Sequence, residues 1–290
     1  MNLNDLLSHD GIDPRDVIVM RHRPKEPKLN RVLPWLVVER PELFNAYQQT
    51  QGEKVEKAML GAKYVASFIR HDAGRALFVG LYQIGETSPL TFEGFFKVPA
   101  LAELKKYGMI GMTKEGRPTC LWFDLRLTDF CSPWIGKLLV GWPPPERSWW
   151  RRSHRNDIPI QAIFEDNALV ASMPQWDQLI LSLDDIAVVP TRWRYTLSQW
   201  RGIYFIHDQS DGKGYVGSAY GRDNLLGRWT SYATTGHGGN RLLRDRDPKN
   251  FQFSILQRVS PDMDADDVIR VEASWKERLH TRAPNGLNDN

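Results

Sequence analysis

Side chains able to grip phosphates and bases concentrate between Gly141 and Arg155, with three Trp (Trp142, Trp149, Trp150) and four Arg (Arg147, Arg151, Arg152, Arg155) in fifteen residues. Guanidinium forks fit phosphate oxygens, and indole faces stack on bases or cations. A plainer reading has the Trp plugging the end of a barrel while the Arg cover them, and residue type leaves both open. A second concentration begins at Tyr204. Tyr215 follows eleven residues later, Arg228 and Tyr232 stand four apart, and Glu272 sits among Val268, Val271, Trp275 and Leu279. Phenols can move protons, an Arg can hold an anion, and a carboxylate suits a hard cation. Each also has an ordinary use: strand packing for the tyrosines, a solvated helix face for Arg228 and Glu272.

The elements that must position these groups are legible in outline. Arg201–Ile206 and Tyr215-Val216-Gly217 flank the turn His207–Gly214, which holds Asp211-Gly212 and Gly214, a β-hairpin pattern. Asp223–Tyr232 reads as a helix with Arg228 and Tyr232 on one face. Phe251–Arg258 alternates as a strand, and Ala265–His280 reads as a helix after the acidic caps Asp262 and Asp264.

Upstream, Asn4–Asp10 reads as a short helix and Val17–Met20 as a strand. Arg21–Arg31, rich in Lys, Arg and Pro, reads as a loop. Glu42–Leu60 reads as an amphipathic helix with a break at Gly52. Strands are expected at 63–69, 76–84, 120–125, 136–142 and 158–164. Helices are expected at 100–107 and 176–183, with 188–200 as a connection. Close-spaced strands with few helices suggest a small barrel or curled sheet.

At 290 residues the chain is long enough for two domains. With 41% hydrophobic and 25% charged residues it is neither disordered, collagen-like nor a coiled-coil rod. A net charge of +3 is compatible with a polyanion partner. Cys120 and Cys131 match no metal-finger or CxxC spacing, so a reducing compartment is expected. The start lacks a leader pattern and no run is long enough to span a membrane, so the expected setting is the cytoplasm.

The order of features in the last third resembles the GIY-YIG nuclease family. The match rests on Gly202-Ile203-Tyr204, on Tyr215-Val216-Gly217 with Val for the usual Ile, on Arg228, on Glu272 and on Gly286-Leu287-Asn288. The resemblance implies an α+β fold class. It places a C-terminal GIY-YIG domain, with a three-stranded antiparallel sheet flanked by helices, in the last third of the chain, and the close-spaced strands before it read as a mostly β, barrel-like N-terminal domain, PUA-like in kind, with a few helices. Residues 1–195 would be a DNA- or modified-base-recognition domain and 196–290 the nuclease. The implied activity is metal-dependent hydrolysis of DNA phosphodiester bonds with Mg²⁺ or Mn²⁺ as cofactor and Glu272 as metal ligand. Arg228 would clamp phosphate, Tyr204 would act as general base, and Tyr215 would position water or phosphate. Asn288 matches the family's late Asn. Tyr232 stands where many members carry His, which leaves the base open between Tyr204 and Tyr232. Lys213 and His237 are secondary catalytic candidates.

Trp142, Arg147, Trp149, Trp150, Arg151 and Arg152 are the DNA-binding candidates of the first domain. The expected partner is double-stranded DNA with or without base modification, bound by a monomer or a homodimer and with no membrane. The expected role is restriction or phage defence, with selection by base modification. A DNA-repair or structure-selective nuclease, a partner-controlled toxin-like nuclease and a catalytically silent DNA-binding or regulatory protein are the alternatives.

Overall fold

The computed structural model describes residues 1–113 and 115–289. The chain divides into two units, Met1–Val170 and the part from Ala171 onward. The fold is mixed α+β.

The first unit begins with α1 (Leu3–His9), where Asn2 and Asp5 form a reciprocal capping box and Leu3 and Leu7 are buried. β1 (Val17–His22) is buried along its length and runs parallel to β2 (Tyr64–Arg70). A parallel pair requires a long crossover. Residues 23–63 provide it through α2 (Pro27–Glu39), α3 (Pro41–Gln48) and α4 (Glu53–Met59).

Here the structure corrects the loop expected over Arg21–Arg31. Arg21 and His22 belong to β1, and α2 starts at Pro27. Proline at the first helical position loses no hydrogen bond. Leu29, Val32, Leu33 and Leu36 then recur at helical spacing and are buried, while Lys28 and Arg31 face outward. The helix expected over Glu42–Leu60 does break near Gly52, into α3 and α4.

β3 (Arg75–Thr91) pairs with β2, with β4 (Thr119–Leu127) and with β5 (Leu138–Gly141). Register shifts at Ser67/Phe68 and Ile84/Thr87 bend it so that one strand can serve these neighbours. β6 (Trp150–Arg152) joins β1, and β7 (Ile160–Ile163) joins β5. The order is β6-β1-β2-β3-β5-β7 with β4 on β3. The sheet curls, and among the described residues β6 and β7 do not pair to close it. The barrel expectation therefore holds only as a curled sheet, and helices are more numerous than foreseen. α5 (Phe92–Phe95) and α6 (Pro99–Leu104) complete the unit. Val17 and Val19 point to a core containing Phe68, Phe78 and Trp142. Alternation sends His22 to the opposite face, onto Phe44 and Tyr47 of α3.

The second unit is a four-stranded antiparallel sheet, not the expected three. Its order is β10 (Gly214–Ala219), β9 (Gly202–Asp208), β11 (Phe251–Arg258), β8 (Ile180–Ser182). The helix expected at 176–183 is replaced by β8 and α7 (Leu183–Ala187). Trp176, Leu179 and Leu183 mimic a helical spacing. Leu179 and Leu181 are buried while Ile180 is 61% exposed, which is strand alternation. α8 (Thr191–Gln199) occupies the expected connection. Residues 171–195, read from sequence as part of the first domain, thus fold with the second unit, because β8 pairs with β11 and Leu197 joins that unit's core.

α9 (Asn224–Thr235) covers one face of this sheet, against Tyr204, Ile206, Tyr215 and Phe253. α10 (Ala265–Arg278) covers the other, with Val268 against Ile203 and Val216. Among the described residues no helix is long and apolar enough to cross a membrane.

Candidate active site

Gly217 lies directly across from Tyr204 in the β9–β10 ladder. A Cβ at Gly217 would stand 2.4 Å from the Tyr204 hydroxyl. The missing side chain is therefore what lets the Tyr204 ring lie across β10. Tyr215, two residues earlier on β10, faces the same side, and α9 brings Arg228 and Tyr232 over them.

The hydroxyls form one network. Tyr215 Oη donates to Asn240 Oδ1 at 2.9 Å, and Asn240 Nδ2 donates to Tyr232 Oη at 2.6 Å. Tyr232 Oη and Tyr204 Oη share a bond at 3.0 Å, and Arg228 Nη2 donates to Tyr204 Oη at 3.3 Å. A phenol has one proton to donate. Tyr232 accepts from Asn240 and Tyr204 from Arg228, so the bond between them can run either way, and the direction that lowers the proton affinity of Tyr204 is the one from Tyr232 to Tyr204. In that direction Tyr204 accepts two hydrogen bonds, the arrangement that favours a phenolate.

Burial opposes this. Tyr204 and Tyr232 are wholly buried and Tyr215 nearly so. Burial first of all holds all three phenols above their ordinary range. The Arg228 charge, then the bonds from Tyr232 and Arg228, pull Tyr204 down, whereas the bond to Tyr204 pushes Tyr232 further up. Burial works against the charge of Arg228, but the phenol oxygens of Tyr204, Tyr232 and Tyr215 outweigh it and the guanidinium is held above its usual value. Arg228 lies over the Tyr232 ring, 5.7 Å from its centroid, and its buried Nε has no hydrogen-bond partner among the described residues.

Glu272 approaches from α10 at the β10 edge. It accepts a hydrogen bond from Ser218 Oγ and pairs with Lys276 Nζ at 2.8 Å, one helical turn on. Its charge adds to the upward push on Tyr204 and Tyr215. Among the described residues no group of three or more His, Cys, Asp or Glu side chains stands together to hold a metal. A carboxylate has about four lone-pair positions, and the two contacts leave the others open. A lone carboxylate is the hard oxygen donor that a divalent ion keeping most of its waters takes, and here such an ion would compete with the Lys276 ammonium for it.

Asn288 lies on the strand, away from the phenols. Its Oδ1 accepts from Val216 N at 2.9 Å and its Nδ2 donates to Val216 O at 2.8 Å. Lys213 donates to Pro284 O at 3.0 Å, and His237 Nδ1 accepts from Gly239 N at 3.0 Å. Neither is bonded into the phenol network. Sequence reasoning missed Asn240, Ser218 and Lys276. The signal for Asn240 was its place at the end of the loop Gly236–Asn240, where His237 drew the attention instead.

The Trp–Arg segment of the first unit divides by role. Trp142 is in the core, and its Nε1 donates to Ser148 O at 2.9 Å. Arg151 Nη2 donates to Pro143 O at 2.8 Å and Pro145 O at 3.1 Å. These two hold the proline loop together. Arg147 is exposed, and Trp149, Trp150 and Arg152 are half-buried.

No protein-family model matches the chain, and no curated protein matches it. Two solved structures are similar. One is the catalytic domain of the intron endonuclease I-TevI in mutant form, 25% identical over 32% of this chain and 95% of that one, with a TM-score of 0.27. The other is the catalytic domain of the homing endonuclease I-TevI, 27% identical over 31% of this chain and 98% of that one, with a TM-score of 0.26.

Proposed function

We propose that the protein is a metal-dependent endonuclease that hydrolyses DNA phosphodiester bonds. The observation that carries this reading is the Tyr204 hydroxyl bonded to both Tyr232 and Arg228, with the Glu272 charge within electrostatic reach. Arg228 grips a non-bridging phosphate oxygen with the donors it does not spend on Tyr204, and its charge stays beside the Tyr204 hydroxyl. Tyr204 in its deprotonated form, which burial opposes and the Arg228 charge favours, takes the proton of the attacking water. The water oxygen forms the new bond to phosphorus as the bond to the leaving oxygen breaks. Tyr215 and Asn240 hold Tyr232 as a donor to Tyr204, and Lys276 and Ser218 orient Glu272. Mg²⁺ or Mn²⁺ at Glu272 would supply positive charge against the charge that develops on the phosphoryl and leaving oxygens. The base is thus Tyr204, with Tyr232 supporting it and Asn288 securing β10.

The first unit selects the DNA in this reading, and the role is restriction or phage defence with discrimination by base modification. The test is Mg²⁺-dependent cleavage of unmodified plasmid, cytosine-methylated DNA and phage DNA with hydroxymethylated or glucosylated cytosine, with Glu272→Ala as control. Cleavage of one modified DNA, lost in the variant, supports the whole reading. Cleavage of all three keeps the nuclease and removes modification sensing. Cleavage of none, flaps and junctions included, removes the nuclease.

A further inference from the structure

The first unit holds a cavity of about 380 Å³, on chain segments that the phenol network and the Trp–Arg segment do not use. Its apolar walls include Tyr47, Phe95, Met109 and Met112, and its polar side includes Glu26 and Arg117.

The walls are set in place by neighbours. The Tyr47 ring meets His22 edge-on at 5.4 Å between centroids and packs on Phe44 at 6.2 Å. Burial pushes its hydroxyl well above the ordinary phenol range, so it stays a neutral donor. Phe95 packs edge-on against Phe96 at 4.8 Å. Gly111, at φ +66, comes so close that a Cβ there would lie 2.5 Å from the Phe95 ring. The two thioethers are soft and adaptable surfaces for an aromatic ligand.

The polar groups are unequal. Arg117 is committed to the Glu56 carboxylate through bonds of 2.5 and 2.6 Å and to the Gln51 carbonyl. Its charge is neutralised by Glu56, so Arg117 itself offers no anion site. Glu26 accepts one long bond, from Ile110 N at 3.4 Å, and keeps acceptor capacity toward the cavity. A carboxylate acceptor between aromatic and thioether walls matches a planar heterocycle with an exocyclic amino group. Ligand cavities run from about 300 to 1,000 Å³. A volume of 380 Å³ admits one base with a substituent. The chain that carries Glu26 also presents exposed Arg23 and Lys25, charges suited to the phosphates on either side of such a base.

We infer that this cavity receives a single amino-bearing base, cytosine or adenine with or without a substituent, swung out of a DNA duplex. This rests on DNA being the substrate, as proposed above, and moves base capture from the Trp–Arg segment to the cavity. Extrusion costs least where the base is already unpaired.

The experiment measures binding of the full chain in EDTA, by anisotropy, so that cleavage plays no part. The probes are a fully paired duplex, the same duplex with one looped-out cytosine, and the same duplex with one looped-out thymine. The expected result is binding of the looped-out cytosine about tenfold tighter than of the paired duplex, with thymine closer to paired. Met112→Trp, which fills the cavity, should abolish the preference while paired-duplex affinity and the melting temperature stay as in the wild type. Glu26→Gln should narrow the gap between cytosine and thymine. Equal binding of all three duplexes, or a preference that survives Met112→Trp, overturns the inference. So does tight binding of free deoxycytidine monophosphate without any preference among the duplexes. A cytosine preference in a protein that cuts no DNA keeps the cavity assignment and removes the nuclease. Cleavage without any base preference does the reverse.

Discussion

The phenol network of the second unit and the cavity of the first treat space in opposite ways. Around Tyr204 the room is filled by the protein's own rings and hydroxyls, and Asn240 and Arg228 tie those hydroxyls together. Between Tyr47 and Phe95 room is left over, and the ordering is done from behind, by Phe44, His22 and Phe96. A group that handles protons must have its hydrogen bonds fixed in advance. A group that receives a ligand must keep its contacts unmade. One chain shows both solutions.

The largest effect is expected at Arg228. Arg228→Ala should cut the rate of plasmid nicking by about 10² to 10³-fold or more, and Arg228→Lys should recover little, because a point charge does not replace the fork. Wild-type nicking by Arg228→Ala would show that the network packs the core and does no chemistry.

His22 tests the opposite region. Burial lowers it to about 4 from an ordinary value near 6.5. Between those values the unfolded chain takes up a proton that the folded chain refuses. Stability therefore rises with pH across that window and is lost as pH falls through it, by about 3 kcal/mol in all. Urea unfolding of the wild type from pH 7 to 4 should show this slope, and His22→Leu should lose that part of it.

Gly217→Ala comes next. Its Cβ would collide with the Tyr204 hydroxyl, and we expect about 1–3 kcal/mol of destabilisation together with lost nicking. Retained activity would mean that the crossing of Tyr204 over β10 is not needed. The smallest effect is expected at the exposed Lys57–Glu53 pair of α4, where Lys57→Ala should leave the urea midpoint of the wild type essentially unchanged. A loss comparable to that of Gly217→Ala would contradict the contrast between buried networks and solvated pairs.

Much of the second unit was legible because its elements carry strong local patterns. The turn Asp211-Gly212 set the hairpin, and the spacing of Arg228 and Tyr232 set their shared face. β8 was not legible, since three apolar residues imitate a helical stripe until β11 supplies a partner for the strand. α2 was obscured by Pro27, Pro34 and the basic residues, although its apolar stripe was present. Asn240 and Ser218 were invisible for another reason. Their significance lies in which distant atoms they meet, Tyr215 and Tyr232 for one and Glu272 for the other, and spacing along the chain does not encode that.

The two bonds that Asn288 makes to Val216 have a bearing on solubility. β10 is an outer strand of its sheet, and an outer strand with bare N–H and C=O groups is a template on which another molecule can add. The amide of Asn288 supplies one acceptor and one donor to Val216, as a neighbouring peptide group would, and Leu287 N donates to Gly214 O alongside. The segment before residue 289 thus serves as a guard rail, occupying the edge that would otherwise recruit a second copy into a growing sheet.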